Sequence, residues 1–301
     1  MNIVIIMVMD KVIATATSNP DYRLQNSEGK SLLLQKKYQK LRQLLGECGK
    51  VLVAYSGGTD SAFLLAVAVQ ELGDNVLAVT AISPTSTKAE VAEAQQLAKE
   101  LGVHHRIIHS KEMDLRDFVG NTAERCYICK YSRYFDLQEI AKQKKIPWVL
   151  DGSNMDDLDD YRPGNRAIKE LGLRSPMQEV TLTKSEIRQL SRQMGLPTWN
   201  KPSSPCLASR IPYGQEITEE KLRRVEKAEE YLTKRGFSPL RVRHYPAEAR
   251  IEISPEQFSK LIEKSKDITK GLRELGFPKV TLDLDGFYSG SLNKNLPDKG
   301  E

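Results

Sequence analysis

The sequence predicts an α/β fold in which a doubly wound parallel sheet is followed by a smaller C-terminal α+β domain. Short apolar runs at residues 51–54 and 76–81 are typical of strands that are buried on both faces of a parallel sheet. Helix-like segments alternate with these runs, as a right-handed parallel sheet requires. Beyond residue 205 the pattern changes to helix, two strands, helix and strand, which indicates a separate domain. A chain of 301 residues is long enough for two domains.

The first half of the chain alternates between predicted helices and strands. A leucine-rich helix begins near Ser31 and leads to the strand at 51–54. The capping box Thr87-Lys88-Ala89-Glu90 predicts the start of a helix that ends near Leu101. The other elements predicted before residue 152 are helices at 62–68 and 131–144 and strands at 76–81, 103–108 and 147–151. Because ligands of such sheets lie beyond the carboxyl ends of the strands, the loops that follow the strands are expected to face one crevice.

The second half begins with another capping box, at residues 183–186, which predicts a helix to about Met194. A proline-rich segment at 200–214 shows little periodicity and is typical of a domain connection. The elements predicted beyond it are helices at 218–235 and 254–275 and strands at 240–244, 249–253 and 280–284. The predicted division is a poorly ordered leader at 1–30, a nucleotide domain at 31–205, a substrate or oligomerisation domain at 206–288 and a loose tail at 289–301.

The composition is that of an ordinary globular protein, with 40% hydrophobic and 28% charged residues. The net charge of +5 fits an anionic substrate and is too small to indicate nucleic acid by itself. No apolar run is long enough to cross a bilayer, and the first residues lack the basic start and cleavage site of a signal peptide. We therefore expect a cytoplasmic protein with no membrane or nucleic-acid partner, whose four cysteines are metal ligands or reactive thiols rather than disulfides.

A glycine-rich loop, Ser56-Gly57-Gly58-Thr59-Asp60-Ser61, separates the strand at 51–54 from the next helix. Such a turn points backbone N–H groups and the positive helix end at an anion, and glycine allows a phosphate to come close. No Gly-Lys-Ser/Thr follows, so the loop is not of the Walker type, and no GxGxxG fingerprint is present. A tight turn without a ligand is the alternative. The glycine loop is therefore a candidate phosphate-binding loop.

Three of the four cysteines form a pattern that suits metal or redox chemistry. Cys126 and Cys129 make a C-x-x-C pair and Cys206 lies in a proline-rich loop, whereas Cys48 is typical of a small buried residue. Structural zinc needs four ligands, and none of the histidines has ligand-like spacing. Three thiolates suit a cubane iron–sulfur cluster with one iron open to an outside ligand. A redox dithiol and a pair that merely packs are the alternatives, and spacing alone does not decide among the three.

The loop at 56–61 resembles the SGGxDS pyrophosphate-binding loop of the PP-loop ATP pyrophosphatases, which split ATP into AMP and pyrophosphate. As a whole the sequence resembles the LarE-type ATP-dependent sulfur transferases, which help to make the nickel-pincer nucleotide cofactor of lactate racemase. The matching stretches lie at 56–61, 151–157, 161–164, 173–176, 206–214 and 241–244, and they span most of residues 31–285.

The resemblance implies an enzyme that adenylates a carboxylate of pyridinium-3,5-biscarboxylic acid mononucleotide and then replaces AMP by sulfur, at each carboxylate in turn. Some members sacrifice the sulfur of a single cysteine at the position that matches Cys206, and this remains the alternative here. The added Cys126 and Cys129 make the chain similar to the type in which three cysteines hold a 4Fe–4S cluster whose open iron carries sulfide. The resemblance also implies ATP and Mg²⁺ as cofactors and a homo-oligomer such as a hexamer. With it, the candidate ATP-binding residues are Ala54, Ser56, Gly57, Gly58, Asp60, Ser61, Ser83 and Gly152, and Asp60 is the candidate magnesium ligand.

Basic residues supply candidates for binding the substrate. Arg241 and Arg243 are two residues apart and therefore share one face of their predicted strand. With Arg210 they are candidates for a fork that binds the phosphate of the substrate, and a solvated basic edge is the alternative. Arg125 and Lys130 flank the C-x-x-C pair and are candidates to stabilise thiolate or cluster charge.

Two other functions are compatible with parts of the pattern. A tRNA-thiolating PP-loop enzyme would carry a broad basic patch, and the modest net charge argues against it. A non-enzymatic sensor that binds ATP or a cluster would release no pyrophosphate.

Overall fold

The computed structural model describes residues 22–159, 164–202 and 205–288. The chain divides into two compact units, Met1–Lys40 and Leu41–Glu301.

The first helix, α1, spans Tyr22–Cys48 and begins well before Ser31, where the leucine pattern predicts its start. Helix therefore replaces the poorly ordered leader that was predicted for residues 22–30, because a helix that is already nucleated extends through neighbouring residues at little cost. The remainder of the predicted leader and the predicted tail at 289–301 lie outside the described residues.

The first sheet is parallel and has four strands in the order β3-β2-β1-β4. These strands are β1 Val51–Ala54, β2 Val76–Ile82, β3 His104–His109 and β4 Trp148–Leu150. β1 pairs with both β2 and β4, so the winding reverses at β1 and a crevice opens beyond the carboxyl ends of these strands. The predicted doubly wound parallel sheet is thus confirmed.

Helices connect the strands of this sheet. The described helices are α2 Thr59–Leu72, α3 Lys88–Glu100, α4 Arg116–Val119, α5 Arg125–Gln143, α6 Asp156–Asp159, α7 Gly164–Glu170, α8 Pro176–Glu179 and α9 Lys184–Gln193. Both predicted capping boxes are confirmed, at the starts of α3 and α9. α5 begins at Arg125 rather than at Tyr131, so Cys126 and Cys129 lie in its first two turns and not in a preceding loop.

The second sheet contains three strands in the order β5-β6-β7, which are β5 Leu240–Tyr245, β6 Glu248–Ile253 and β7 Lys279–Leu282. Its helices are α10 Glu219–Thr233, α11 Phe258–Glu263 and α12 Ser265–Glu274. The single helix predicted from Ser254 to Leu275 is wrong. Pro255–Gln257 forms a separate 3-10 turn, and the backbone of Lys264 leaves the helical conformation between α11 and α12.

Two buried clusters hold these layers together. In the first, Leu52 and Val79 of the parallel sheet pack with Leu137 and Ile140 of α5. In the second, the inner face of the three-stranded sheet packs with α10 and α12, and Phe118 of α4 joins it from the first half of the chain. The domain boundary predicted at residue 205 stays a prediction. Across the described ranges, no helix is both long enough and apolar enough to cross a membrane.

Candidate functional site

The glycine loop, residues 56–61, joins the end of β1 to the start of α2. Gly57 has a φ of +76°, a left-handed conformation that favours glycine, and a Cβ at this position would lie 2.8 Å from the Cβ of Ala94 on α3. Gly58 precedes α2, and within the described residues no side chain caps that helix. The backbone N–H groups of its first turn are therefore suited to an anion.

A second loop approaches the glycine loop closely. Gly152 follows β4, and a Cβ there would lie 3.1 Å from both the backbone N and the Cα of Ser61. The absence of a side chain at Gly152 therefore allows the two chain segments to come this close. The Oγ atoms of Ser56 and Ser61 are 3.1 Å apart, which places two hydroxyl groups at the same edge of the sheet.

A cavity of about 290 Å³ lies beyond the carboxyl ends of β1, β2 and β4, and we call it the nucleotide cavity. Six of the predicted ATP-binding residues line it, namely Ala54, Ser56, Gly58, Asp60, Ser61 and Gly152. Val79, Ala81, Tyr134 and Leu137 add an apolar wall that suits a purine ring.

Ser83 is not among the described residues that line this cavity, although the sequence predicts an adenosine contact for it. Its hydroxyl group instead donates to the carboxylate of Glu112 at 2.5 Å and lies 2.9 Å from the hydroxyl of Thr85. Glu112 is fully buried. Ser83 therefore belongs to a buried polar network behind the cavity, and its predicted contact with adenosine is not supported by its position.

A second cavity of about 270 Å³ lies on the other side of the glycine loop, and we call it the sulfur-side cavity because Cys206 lines it. Lys184, Lys201 and Thr85 also line this cavity. The two cavities share the lining residues Ser56, Gly58, Asp60, Ala81 and Arg133. A ligand that follows the glycine loop can therefore extend from one cavity toward the other.

Two lysines bring positive charge to the glycine loop. The ammonium group of Lys184 pairs with the carboxylate of Asp60. Lys201 donates to the backbone carbonyl of Gly57 at 3.2 Å and pairs with Glu93 at 2.7 Å. Asp60, the predicted magnesium ligand, is thus bonded to a cation in this structure, and a metal ion at its carboxylate has to displace Lys184 or share the carboxylate with it.

The three cysteines of the predicted pattern lie near one another. Cys129 lines the nucleotide cavity and Cys206 lines the sulfur-side cavity. Burial raises the pKa of the Cys129 thiol to about 12 against the lowering effect of Arg133, and Glu112, Cys206 and Cys126 contribute to the rise. Desolvation and then the proximity of Cys206 raise the pKa of Cys126. These two thiols are therefore protonated at neutral pH unless a metal ion displaces their protons.

The three thiols differ in their exposure to solvent. Cys126 and Cys206 are exposed and Cys129 is partly buried, so the trio is open to an incoming ligand. Among the residues that the structure describes, no group of three or more His, Cys, Asp or Glu side chains is arranged to hold a metal ion. Cys48 is buried and donates to the backbone carbonyl of Leu44 at 3.2 Å, which agrees with the packing role predicted for it.

The three predicted phosphate-binding arginines form a cluster in which two carboxylates take part. Arg210 pairs with Glu229 through two hydrogen bonds of 2.9 and 3.0 Å, and Arg243 pairs with Glu252 through two of 2.8 Å. Burial and the charges of Arg210 and Arg243 lower the pKa of Arg241 to about 10, although Glu229 and Glu252 oppose this. Three guanidinium groups and two carboxylates therefore lie close together in this cluster.

Sequence reasoning missed several cavity residues. Arg133 and Tyr134 lie on α5 one turn beyond Cys129, and a helix drawn from residue 125 would have placed them on the same side as the C-x-x-C pair. Tyr134 donates to the carboxylate of Asp151 at the end of β4, and burial followed by that carboxylate raises the pKa of Tyr134 well above its usual value. Lys184 follows the second capping threonine, and no local motif marks it as part of the cavity.

The reversal of strand order at β1, the glycine loop and the two cavities beyond it define the PP-loop class of nucleotide-binding α/β enzymes. Residues 33–126 match the family model described as NAD synthase, which belongs to this class.

The chain is also similar to full-length relatives. It is 44% identical over 266 residues to an uncharacterized protein of Synechocystis (88% of this chain, 99% of that protein). It is 38% identical over 253 residues to the pyridinium-3,5-bisthiocarboxylic acid mononucleotide synthase of Lactiplantibacillus plantarum (84% of this chain, 92% of that enzyme). An uncharacterized protein of Methanocaldococcus jannaschii is 31% identical over 262 residues (86% of this chain, 100% of that protein). The chain therefore belongs to the family of the pyridinium-3,5-bisthiocarboxylic acid mononucleotide synthase.

Proposed function

We propose that this protein is an ATP-dependent sulfur transferase that converts pyridinium-3,5-biscarboxylic acid mononucleotide into the bisthiocarboxylic acid form, for the nickel-pincer cofactor of lactate racemase. The family relationship supports this reaction, since 84% of the chain matches a synthase of that product. The observation that carries the proposal is that Cys206 and the glycine loop line the same cavity, so a sulfur atom lies beside the place where a phosphate would bind.

The first stage activates a carboxylate. An oxygen of the substrate carboxylate attacks the α-phosphorus of ATP, the bond to the β-phosphate breaks, and pyrophosphate leaves with the electron pair. The N–H groups at the start of α2 and the hydroxyls of Ser56 and Ser61 would hold the phosphates. Lys184 and Lys201 would offset their charge, and Mg²⁺ at Asp60 would add a further counter-charge.

The second stage transfers sulfur. A sulfide or hydrosulfide attacks the carbonyl carbon of the acyl-adenylate, the C–O bond to AMP breaks, and AMP leaves with the electron pair. A carboxylate is a poor acyl donor and AMP is a good leaving group, so activation must come first. Repetition at the second carboxylate gives the bisthiocarboxylic acid.

Cys126, Cys129 and Cys206 are proposed to hold a 4Fe–4S cluster, which when bound would present a sulfide on its open iron. The nearness of the three thiols supports metal ligation, and a metal ion that binds there would have to displace the thiol protons. The positive charge of Arg125 lies beside Cys126 and lowers the pKa of that thiol, but desolvation has the larger and opposite effect. Arg210, Arg241 and Arg243 are proposed to bind the phosphate of the substrate nucleotide, since Arg210 and Arg243 lie close enough to Arg241 to lower its pKa.

The proposal also includes a small-molecule nucleotide substrate, a sulfide source, a cytoplasmic location and assembly into a homo-oligomer. No nucleic acid is needed in it. The family relationship supports the nucleotide substrate, and the exposed thiols suit the reducing cytoplasm.

Mass spectrometry tests the proposal. Protein that has been purified anaerobically and reconstituted with iron and sulfide is incubated with MgATP, sulfide and the biscarboxylate nucleotide. We expect AMP and pyrophosphate in equal amounts and a product whose mass has risen by the difference between sulfur and oxygen at one or both carboxylates. An unchanged protein mass supports cluster-based delivery, whereas loss of one sulfur from Cys206 supports sacrificial donation. Pyrophosphate release without any gain of sulfur in the nucleotide would refute the proposed reaction.

A further inference from the structure

Arg133 occupies the junction between the two cavities. It lies on α5, four residues beyond Cys129 and seven beyond Cys126, so all three side chains start from one side of that helix. Arg133 lines both the nucleotide cavity and the sulfur-side cavity. The glycine loop supplies Ser56, Gly58 and Asp60 to the shared lining, so Arg133 and the loop that would hold the phosphates line the same two cavities.

One end of the guanidinium group is fixed by a buried polar network. Nη2 of Arg133 donates to Glu112 at 2.6 Å, to Thr85 at 3.1 Å and to Ser83 at 3.2 Å. Burial alone would raise the pKa of Glu112, but Arg133 and hydroxyl groups that include Ser110 more than offset this and lower it. Glu112 is therefore an ionised, fully buried carboxylate that holds Arg133 in place.

The rest of the guanidinium group is not used by that network. The three hydrogen bonds employ Nη2 alone, and Nε is buried with no hydrogen-bond partner in the described parts of the chain. A buried donor without a partner is costly, and Arg133, which lines both cavities, is suited to an oxyanion that arrives with a ligand.

We propose that Arg133 is a catalytic residue that binds the α-phosphoryl oxygens of ATP and of the acyl-adenylate, between the glycine loop and the cysteines. This inference rests on the proposed function and adds a residue to it. During activation a carboxylate attacks a phosphorus atom that is surrounded by negative oxygens. Arg133 offsets that charge as the new P–O bond forms and the bond to pyrophosphate breaks. When sulfur displaces AMP, the same group stabilises the phosphate that departs with the electron pair.

A purely structural ion pair between Arg133 and Glu112 is the competing explanation, and paired substitutions separate the two. Arg133→Gln and Glu112→Gln each break the same ion pair, but only Arg133→Gln removes the donors that line the cavities. The double variant Glu112→Gln/Arg133→Gln leaves no unpaired buried charge and guards against misfolding of Arg133→Gln. Lys142→Gln removes an exposed positive charge from the same helix. It is the control for effects of purification and of losing one charge on the measured activity.

The assay measures the exchange of labelled pyrophosphate into ATP in the presence of the biscarboxylate nucleotide, which reports activation without any sulfur. We expect Arg133→Gln and the double variant to lower the kcat of exchange by about 100-fold or more, and Glu112→Gln to lower it by no more than about tenfold. Arg133→Lys should recover part of the loss because it keeps the charge. Equal losses in Arg133→Gln and Glu112→Gln would overturn the inference.

A binding measurement keeps this inference separate from the identity of the substrate. Calorimetric titration with MgATP alone needs no carboxylate, and we expect the Kd of the double variant to be about tenfold higher than that of Glu112→Gln. Equal Kd values for these two proteins would overturn the contact with the α-phosphate. If these two variants differ in Kd as expected but the wild-type protein shows no exchange with the biscarboxylate nucleotide, the proposed substrate is refuted and the contact stays supported.

Discussion

Replacing Gly57 with alanine should destabilise the glycine loop through two separate effects. The φ of +76° is a left-handed conformation, which costs a residue with a Cβ about 1–2 kcal/mol. The new methyl group would also lie 2.8 Å from the Cβ of Ala94, and since carbon atoms prefer about 3.5–4.0 Å, one of the two segments must move by about 1 Å. Overpacking of this kind typically costs about 1–3 kcal/mol.

Helix α3 has little freedom to withdraw from such a methyl group. Ala94 is buried, and its backbone carbonyl accepts from the hydroxyl of Tyr55, which directly follows β1. We therefore expect Gly57→Ala to lower the free energy of unfolding by about 2–4 kcal/mol, the sum of the lower parts of both ranges. Urea denaturation followed by circular dichroism measures this difference.

The adjacent glycine provides a matched control. Gly58 has a φ of −78°, and a Cβ there would approach the Oγ of Ser56 at an ordinary 3.5 Å. Gly58→Ala should therefore change the free energy of unfolding by less than about 1 kcal/mol. Adding Ala94→Gly to Gly57→Ala removes the closest contact but not the left-handed strain, so it should recover only part of the loss. Equal unfolding midpoints for Gly57→Ala and Gly58→Ala would refute this reasoning.

Three other predictions concern the cysteines, a buried histidine and a buried ion pair. Cys206→Ser should lose most of the iron that wild-type protein binds on anaerobic reconstitution, whereas Cys48→Ser should keep it; equal iron contents would contradict the three-cysteine site. Burial lowers the pKa of His244, so the unfolded chain binds a proton more readily and stability should fall as the pH drops below about 6.5 toward the lower folded pKa. His244→Phe should reduce this fall in urea midpoint between pH 7.5 and pH 5, and an unchanged slope would argue against it. Glu252→Gln breaks a buried ion pair with Arg243 and should lower the free energy of unfolding in urea by about 3–5 kcal/mol. Adding Arg243→Met removes the unpaired charge and should restore part of this free energy. A loss of less than about 1 kcal/mol would show that the pair is solvated.

The sequence predicted the parallel sheet well because its signals are local. The apolar runs that became β1 and β2 are too short and too continuous for an amphipathic helix, and both capping boxes mark helix starts through contacts within four residues. The glycine loop was also predictable, since its backbone conformation depends on adjacent residues.

Features that depend on distant contacts were harder to predict. The start of α5 was not predicted because Cys126 and Tyr127 carry no helix-start signal. As a result, Arg133 and Tyr134 were not recognised as residues of the site. Ser83 follows a strand at the expected edge, yet the buried Glu112 takes its hydroxyl group. The ion-pair partners of Arg210 and Arg243 could not be predicted either. Glu229 and Glu252 lie on other elements and come close to these arginines only in the folded chain.

The short turn that carries Cys206 is tied at both ends to different parts of the molecule. The N–H of Leu207 donates to the carbonyl of Thr85 in the loop that follows β2, and Arg243 of β5 donates to the carbonyl of Ser209 at 2.6 Å. The peptide that carries the Cys206 thiol is therefore anchored within three residues to that loop and to the second sheet. A substitution that removes the guanidinium group of Arg243 should thus also loosen the position of the sulfur atom.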